Sequence, residues 1–141
     1  MAIVSVEDLL AAYSDTVYRK DEEGFCALFD EEVRIFDMWG AWSYEGLPAF
    51  RQMVTGWFGG LGADRDVVSF EDVNIYVAGE MGMVTAFVRF AAVNLQGEEL
   101  RFLYNRLTWV VSSAGGEEWK IVHQHTSSPV DGATMGVLLK K

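Results

Sequence analysis

Two histidines, His123 and His125, lie one residue apart in the segment EWKIVHQHTS, and a lone arginine, Arg106, sits among aromatic and β-branched neighbours in LRFLYNRLTWVV. Alternate residues of a strand share a face, so both imidazoles point the same way, alongside Trp119, Ile121 and Ser127. A His-x-His pair can supply two metal ligands, but a zinc site needs three or four, and the chain offers no third His and only one Cys, Cys26. No metal is expected. As an acid or base, a pocket histidine titrates near neutrality, and the second imidazole is then held by hydrogen bonding within the packed sheet. Arg106 shares its strand face with Phe102, Tyr104, Thr108 and Val110, which predicts that it points inward. A buried guanidinium must be paired, and Asp37, Glu71 or a ligand carboxylate is the expected partner. Arg89 raises the same question on a face with Met83, Thr85 and Phe87.

Ser5, followed at three residues by Asp8, and the helical spacing of Val6, Leu9, Leu10, Tyr13 and Val17 predict a first helix over residues 5–20. Phe25, Leu28 and Phe29 predict a short second helix, after which VRIFD reads as a strand ending near Asp37. A third helix opens at Gly46, Leu47 and Pro48, carries Phe50, Met53, Val54, Trp57 and Phe58 on one face, and stops at Gly59, Gly60 and Gly62. The aromatic residues around it, Trp39, Trp42, Tyr44, Trp57 and Phe58, either roof a pocket or pack between helix and sheet. From Asp64 onward DVVSFEDVNIYV, MVTAFVRFAAVN, LRFLYNRLTWVV and EWKIVHQHTS are long strands joined by AGE, LQGEE and SSAGGE, connections too short for parallel crossovers. Helices first and an antiparallel meander afterwards define an α+β class, in which strands this long must curl over the helices and enclose a pocket. The third long strand is apolar on both faces, which predicts a second cover supplied by a homodimer partner.

At 141 residues the chain fits one domain, and with 50% hydrophobic and 13% aromatic residues it has material for a sizeable core. A formal net charge of −10 argues against nucleic acid, and the N-terminal sequence predicts neither a signal peptide nor a membrane span. With a single cysteine and no disulfide framework, the expected location is cytoplasmic. Glycine-rich phosphate loops are absent from the sequence, and no cofactor is expected.

The ending RLTWVVSSAGGEEWKIVHQHTSSP, preceded by FDEEVRIFD and a Gly-Pro-led helix, resembles the nuclear-transport-factor-two-like superfamily. Within it the chain is similar to the SnoaL-like proteins and to the association domain of calcium/calmodulin-dependent kinase II. The resemblance implies a cone-shaped, cystatin-like α+β fold, a curved sheet around a long N-terminal helix, an open pocket and dimerisation through the sheet. That superfamily holds isomerases, dehydratases, cyclases and proteins without chemistry, so fold alone does not choose among them. In its ketosteroid isomerase branch a Tyr on the first helix and an Asp ending the first strand carry proton transfer, and Tyr13 and Asp37 match those places. The second acid of that isomerase's oxyanion hole, a pairing that is a standard example of a neutral Asp, has no counterpart on LRFLYNRLTWVV. The expected site therefore has Asp37 as general base with Tyr13 and His125 as its catalytic companions. Arg106, Tyr104, Trp39, Trp57, Phe87 and His123 are expected to bind a small, largely apolar molecule with a polar or anionic group. The alternative is a non-catalytic homodimeric association or ligand-binding module.

Overall fold

The computed structural model describes residues 2–116 and 118–141; Glu117, in the predicted SSAGGE connection, lies outside the described residues. Helix α1, Val6–Arg19, starts at a capping box in which Ser5 Oγ accepts from the Asp8 amide while the Asp8 side chain accepts from the Ser5 amide. The acidic residues Glu7 and Asp8 sit in its first turn and Arg19 in its last, each on the side that complements the helix dipole. The left-handed Lys20 closes α1. The short α2, Glu22–Cys26, follows at once, capped by Asp21, whose side chain accepts from the Gly24 amide. Helix α3, Leu47–Gly60, begins with proline in its first turn and buries Leu47, Phe50, Val54 and Phe58.

The strands are β1 (Phe29–Phe36), β2 (Tyr44–Glu45), β3 (Arg65–Ala78), β4 (Met81–Val93), β5 (Glu99–Ser112) and β6 (Lys120–Ser127). They form one six-stranded sheet in the order β2-β1-β6-β5-β4-β3. The run β3 to β6 is the antiparallel meander expected from its short connections. Strand β1 instead joins the sheet parallel to β6, a pairing possible because the whole of α3 and the meander intervene between them. The concave face of this curved, unclosed sheet packs on the helices through Val84, Val88, Leu107, Trp109, Val111 and Ile121, all buried with Leu9, Val17, Phe25 and Phe50.

Three irregularities set which side chains face the helices. A bulge in β3 around Asp72, which has φ 52°, shifts the inward set from Asp66, Val68 and Phe70 to Ile75. A second bulge separates the pairs Val110↔His123 and Val111↔Ile121, leaving Val122 as the extra residue of β6. A third interrupts β1 between the pairs Phe29↔Ile121 and Arg34↔His123. Beyond β6 the chain forms a bridge, Val130↔Val137, and then runs beside β5, where the Tyr104 amide donates to the Leu139 carbonyl. No helix is long and apolar enough to cross a membrane among the described residues.

Candidate functional site

A cavity of about 370 Å³ lies between α1, α3 and the concave face of the sheet. Tyr13 reaches it from α1, Asp37 from the end of β1, Asp66 from the start of β3, and Gln124 and Thr126 from β6. Phe50, Met53, Trp57, Phe90 and Leu103 supply apolar wall, and Trp39, 53% exposed, stands at the mouth.

Asp37 points inward because it continues the alternation of Val33 and Ile35, both fully buried, one residue beyond β1. Its Oδ1 accepts from Thr126 Oγ1 at 2.9 Å, and that Oγ1 in turn accepts from the Met38 amide at 3.4 Å. Burial raises its pKa above the ordinary aspartate value and outweighs the Thr126 hydrogen bond and the nearby Met38 and Trp39 amides, which act in the opposite direction. A carboxylate with a raised pKa is the better proton acceptor.

Tyr13 lies on the buried stripe of α1 with Val6, Leu9 and Val17. Its ring is held by Phe25 at a centroid distance of 4.9 Å and by Phe70 and Trp109 at 5.7 Å. The side chain is only 3% exposed, yet its hydroxyl has no protein hydrogen-bonding partner among the described residues. No fully shielded side-chain polar atom is left unpaired among the described residues, so the phenol oxygen opens onto the cavity. Burial first, and then the charges of Asp37 and Asp66, push its pKa far above the ordinary phenol range. It is a neutral hydrogen-bond donor at any physiological pH.

Asp66 is a second buried acid in the cavity wall, on β3 rather than on β5. It is 8% exposed, and Trp57 Nε1 donates to its Oδ2 at 2.8 Å, fastening α3 to β3. The signal was present: Asp66, Val68 and Phe70 alternate on one face of the predicted strand, so an Asp in phase with core residues marks a buried carboxylate.

Of the residues expected at the site, Tyr13, Asp37, Trp39 and Trp57 converge on the cavity. Arg106, Tyr104, Phe87, His123 and His125 do not; they stand on the opposite, convex face of the sheet. For β5 the choice lay between two apolar faces. Leu103, Leu107, Trp109 and Val111 point inward, which buries a tryptophan and spares an unpaired guanidinium the cost of desolvation. Arg106 is exposed and donates through Nε to Ser127 Oγ at 3.1 Å; neither Asp37 nor Glu71 is its partner. Glu71 accepts instead from Tyr104 Oη at 2.6 Å and from Lys141 Nζ at 3.3 Å. Lys141 also lies 4.2 Å over the Phe87 ring, so this outer cluster is partly covered by the chain's own tail. The bulge at Val122 explains the histidines: Ile121 faces the core, while His123 and His125 fall out of phase with it and turn outward. His123 Nδ1 lies 2.7 Å from the Arg34 carbonyl, and both imidazoles pack edge-on against Phe36. Gln124 and Thr126 take the inward positions, Gln124 accepting from Trp109 Nε1 at 2.9 Å.

Residues 6–131 match the family model of the SnoaL-like domain, and the chain belongs to that family. The fold is similar to that of a nuclear-transport-factor-two-like protein of unknown function from Pseudomonas putida, with TM-score 0.84, 20% identity, and 96% of this chain and 92% of that one covered. It is similar also to a protein from Novosphingobium aromaticivorans described as having a cystatin-like fold, with TM-score 0.72, 17% identity and coverages of 92% and 82%. A third relative, from Xanthomonas campestris, is provisionally named a calcium/calmodulin-dependent protein kinase II association domain, with TM-score 0.68, 12% identity and coverages of 86% and 84%. At these identities the likeness is one of fold. No curated protein matches the chain.

Proposed function

We propose that the cavity binds a small, largely apolar molecule and transfers a proton on it without a cofactor, as an isomerase, dehydratase or cyclase does. The observation that carries this reading is the convergence of Asp37, with its raised pKa, and the unpartnered Tyr13 hydroxyl on one apolar cavity. Asp37 takes the proton from carbon, and Tyr13 donates a hydrogen bond to the ligand oxygen that gains electron density. Packing by Phe25, Phe70 and Trp109 fixes the phenol before the ligand arrives, so little reorganisation accompanies the reaction. An anionic ligand head group loses the residue it rested on, because Arg106 faces away. A carbonyl or hydroxyl group is the polar feature that the cavity suits.

The reading is tested with a panel of aromatic and cyclic ketones screened for a rise in unfolding temperature, since a ligand of the native state must stabilise it. Hits are expected to shift the amide resonances of Leu103, Asn105, Gln124 and Thr126 and to lose their effect in Leu103→Trp, which fills the cavity. Hits that shift only convex-face resonances such as those of Arg106 and His125 would contradict it.

We also propose that a second copy covers part of the convex face, since Tyr76, Met81 and Met83 are exposed there beside Val110. Sedimentation should give a dimer, and Met83→Glu should give a monomer; a wild-type monomer at tens of micromolar would overturn this.

A further inference from the structure

We infer that the cavity selects ligands that carry their own cation, an aromatic or alicyclic body bearing a protonated amine, and rejects carboxylates. The inference rests on the reading of this cavity as the ligand site and narrows the class of molecule it takes. Asp37 and Asp66 both line the walls, and among the described residues that line it there is no Lys, Arg or His. Arg65, next to Asp66 in the chain, and Lys20, which reaches the Asp64 carbonyl, are committed elsewhere. Lys20 Nζ donates to the carbonyls of Gly62 and Asp64, and Arg65 Nη1 to the Tyr18 carbonyl.

Asp66 is the group that asks for a counter-charge. It is 8% exposed, and its one hydrogen-bond donor among the described residues is the neutral indole of Trp57. A buried carboxylate with a single neutral donor is costly, and an ammonium on the ligand would supply both the charge and the further donors. The aromatic wall favours the same chemistry. The rings of Trp57 and Phe90 lie 5.9 Å apart at 74°, so that an ammonium beside Asp66 also meets aromatic surface. Tyr13, 3% exposed and with its hydroxyl open to the cavity, then addresses the ligand's oxygen.

The proposed proton transfer asks for the same ligand class. When Asp37 accepts a proton it becomes neutral and the negative charge moves to the ligand oxygen, close to an Asp66 that no protein cation offsets. A ligand ammonium offsets it, and the charge balance of the site is then complete.

Three probes sharing a phenethyl body test this: 2-phenylethylammonium, 2-phenylethanol and 3-phenylpropionate, titrated by calorimetry at pH 7 into the wild-type chain and Asp66→Asn. The ammonium is expected to bind at least about tenfold tighter than the alcohol, and the carboxylate at least about tenfold weaker. In Asp66→Asn the ammonium should fall to within about threefold of the alcohol, whose own affinity should change less than about threefold. Leu103→Trp, which fills the cavity without touching a charge, should abolish binding of both. Because the chain carries −10 overall, an ammonium preference that survives in Leu103→Trp would belong to the surface and would overturn the inference. Alcohol and ammonium bound equally, or a carboxylate bound best, would overturn it while leaving the cavity as the ligand site. Failure of all three probes to bind would overturn both.

Discussion

The Trp57 indole donates its Nε1–H to Asp66 Oδ2 at 2.8 Å, joining the apolar face of α3 to the first turn of side chains on β3. This contact keeps a buried acid in the cavity wall and holds one aromatic wall residue against it. Trp57→Phe preserves most of the apolar contact and removes the donor, so it should destabilise the chain by about 1–3 kcal/mol, the cost of leaving a buried acceptor unpaired. Adding Asp66→Leu should recover most of that loss, because removing both partners together is nearly neutral. Chemical denaturation of the two variants checks it; a double variant less stable than Trp57→Phe would show that the carboxylate has other support.

Asp37 makes a prediction about pH. Burial raises its folded pKa above the value near 3.8 that it has when unfolded. Between those two values the native state binds more protons than the unfolded one, so the stability contributed by Asp37 is full below the unfolded value and is lost as pH rises through the folded value. Asn cannot ionise and still accepts from Thr126 Oγ1. Asp37→Asn should therefore unfold at a higher temperature than wild type at pH 7, with the difference vanishing toward about pH 3. Thermal unfolding followed at several pH values decides the sign.

Tyr13→Phe removes one hydroxyl that faces the cavity and leaves the ring contacts with Phe25, Phe70 and Trp109 intact. Turnover of any ketone found to bind should fall about 10²- to 10³-fold, the usual effect of losing one donor to a developing oxyanion. The unfolding temperature should stay close to that of wild type, which separates a role in chemistry from one in packing.

Arg106→Ala should change neither stability, beyond about 0.5 kcal/mol, nor ligand affinity. The side chain is exposed on the convex face with Ser127 as its hydrogen-bonding partner. Calorimetric titration of a cavity ligand into this variant checks the assignment of faces directly.

Much of the fold was legible because local signals agreed with one another. Ser5 and Asp8 mark the start of α1, Pro48 marks the start of α3, and the short connections force the meander. The helical spacing of α1 already sets Tyr13 on its apolar stripe, whereas the inward direction of Asp37 rests on the resemblance and is explained by the alternation of β1. Arg106, Tyr104, Phe87, His123 and His125 were placed on the wrong face for two reasons. A strand with apolar groups on both sides does not announce which side is covered, and β5 settles the matter only through the burial of Leu107, Trp109 and Val111. A bulge then breaks the period of β6, and one inserted residue, Val122, turns every later side chain over. The parallel seam of β1 with β6 was illegible for a related reason: it joins segments about ninety residues apart and leaves no local mark.

Proton transfer by Asp37 can be followed directly on a bound ketone. A cyclic or aromatic ketone shown by amide shifts to occupy the cavity is incubated with the protein in D₂O near neutral pH, and loss of its α-proton signals is followed by NMR. The wild-type chain should accelerate exchange well beyond buffer, and Asp37→Asn should reduce that acceleration by about 10²- to 10⁴-fold while still binding the ketone. Exchange by the wild type no faster than in buffer, or equal exchange by Asp37→Asn, would contradict a catalytic role for this cavity.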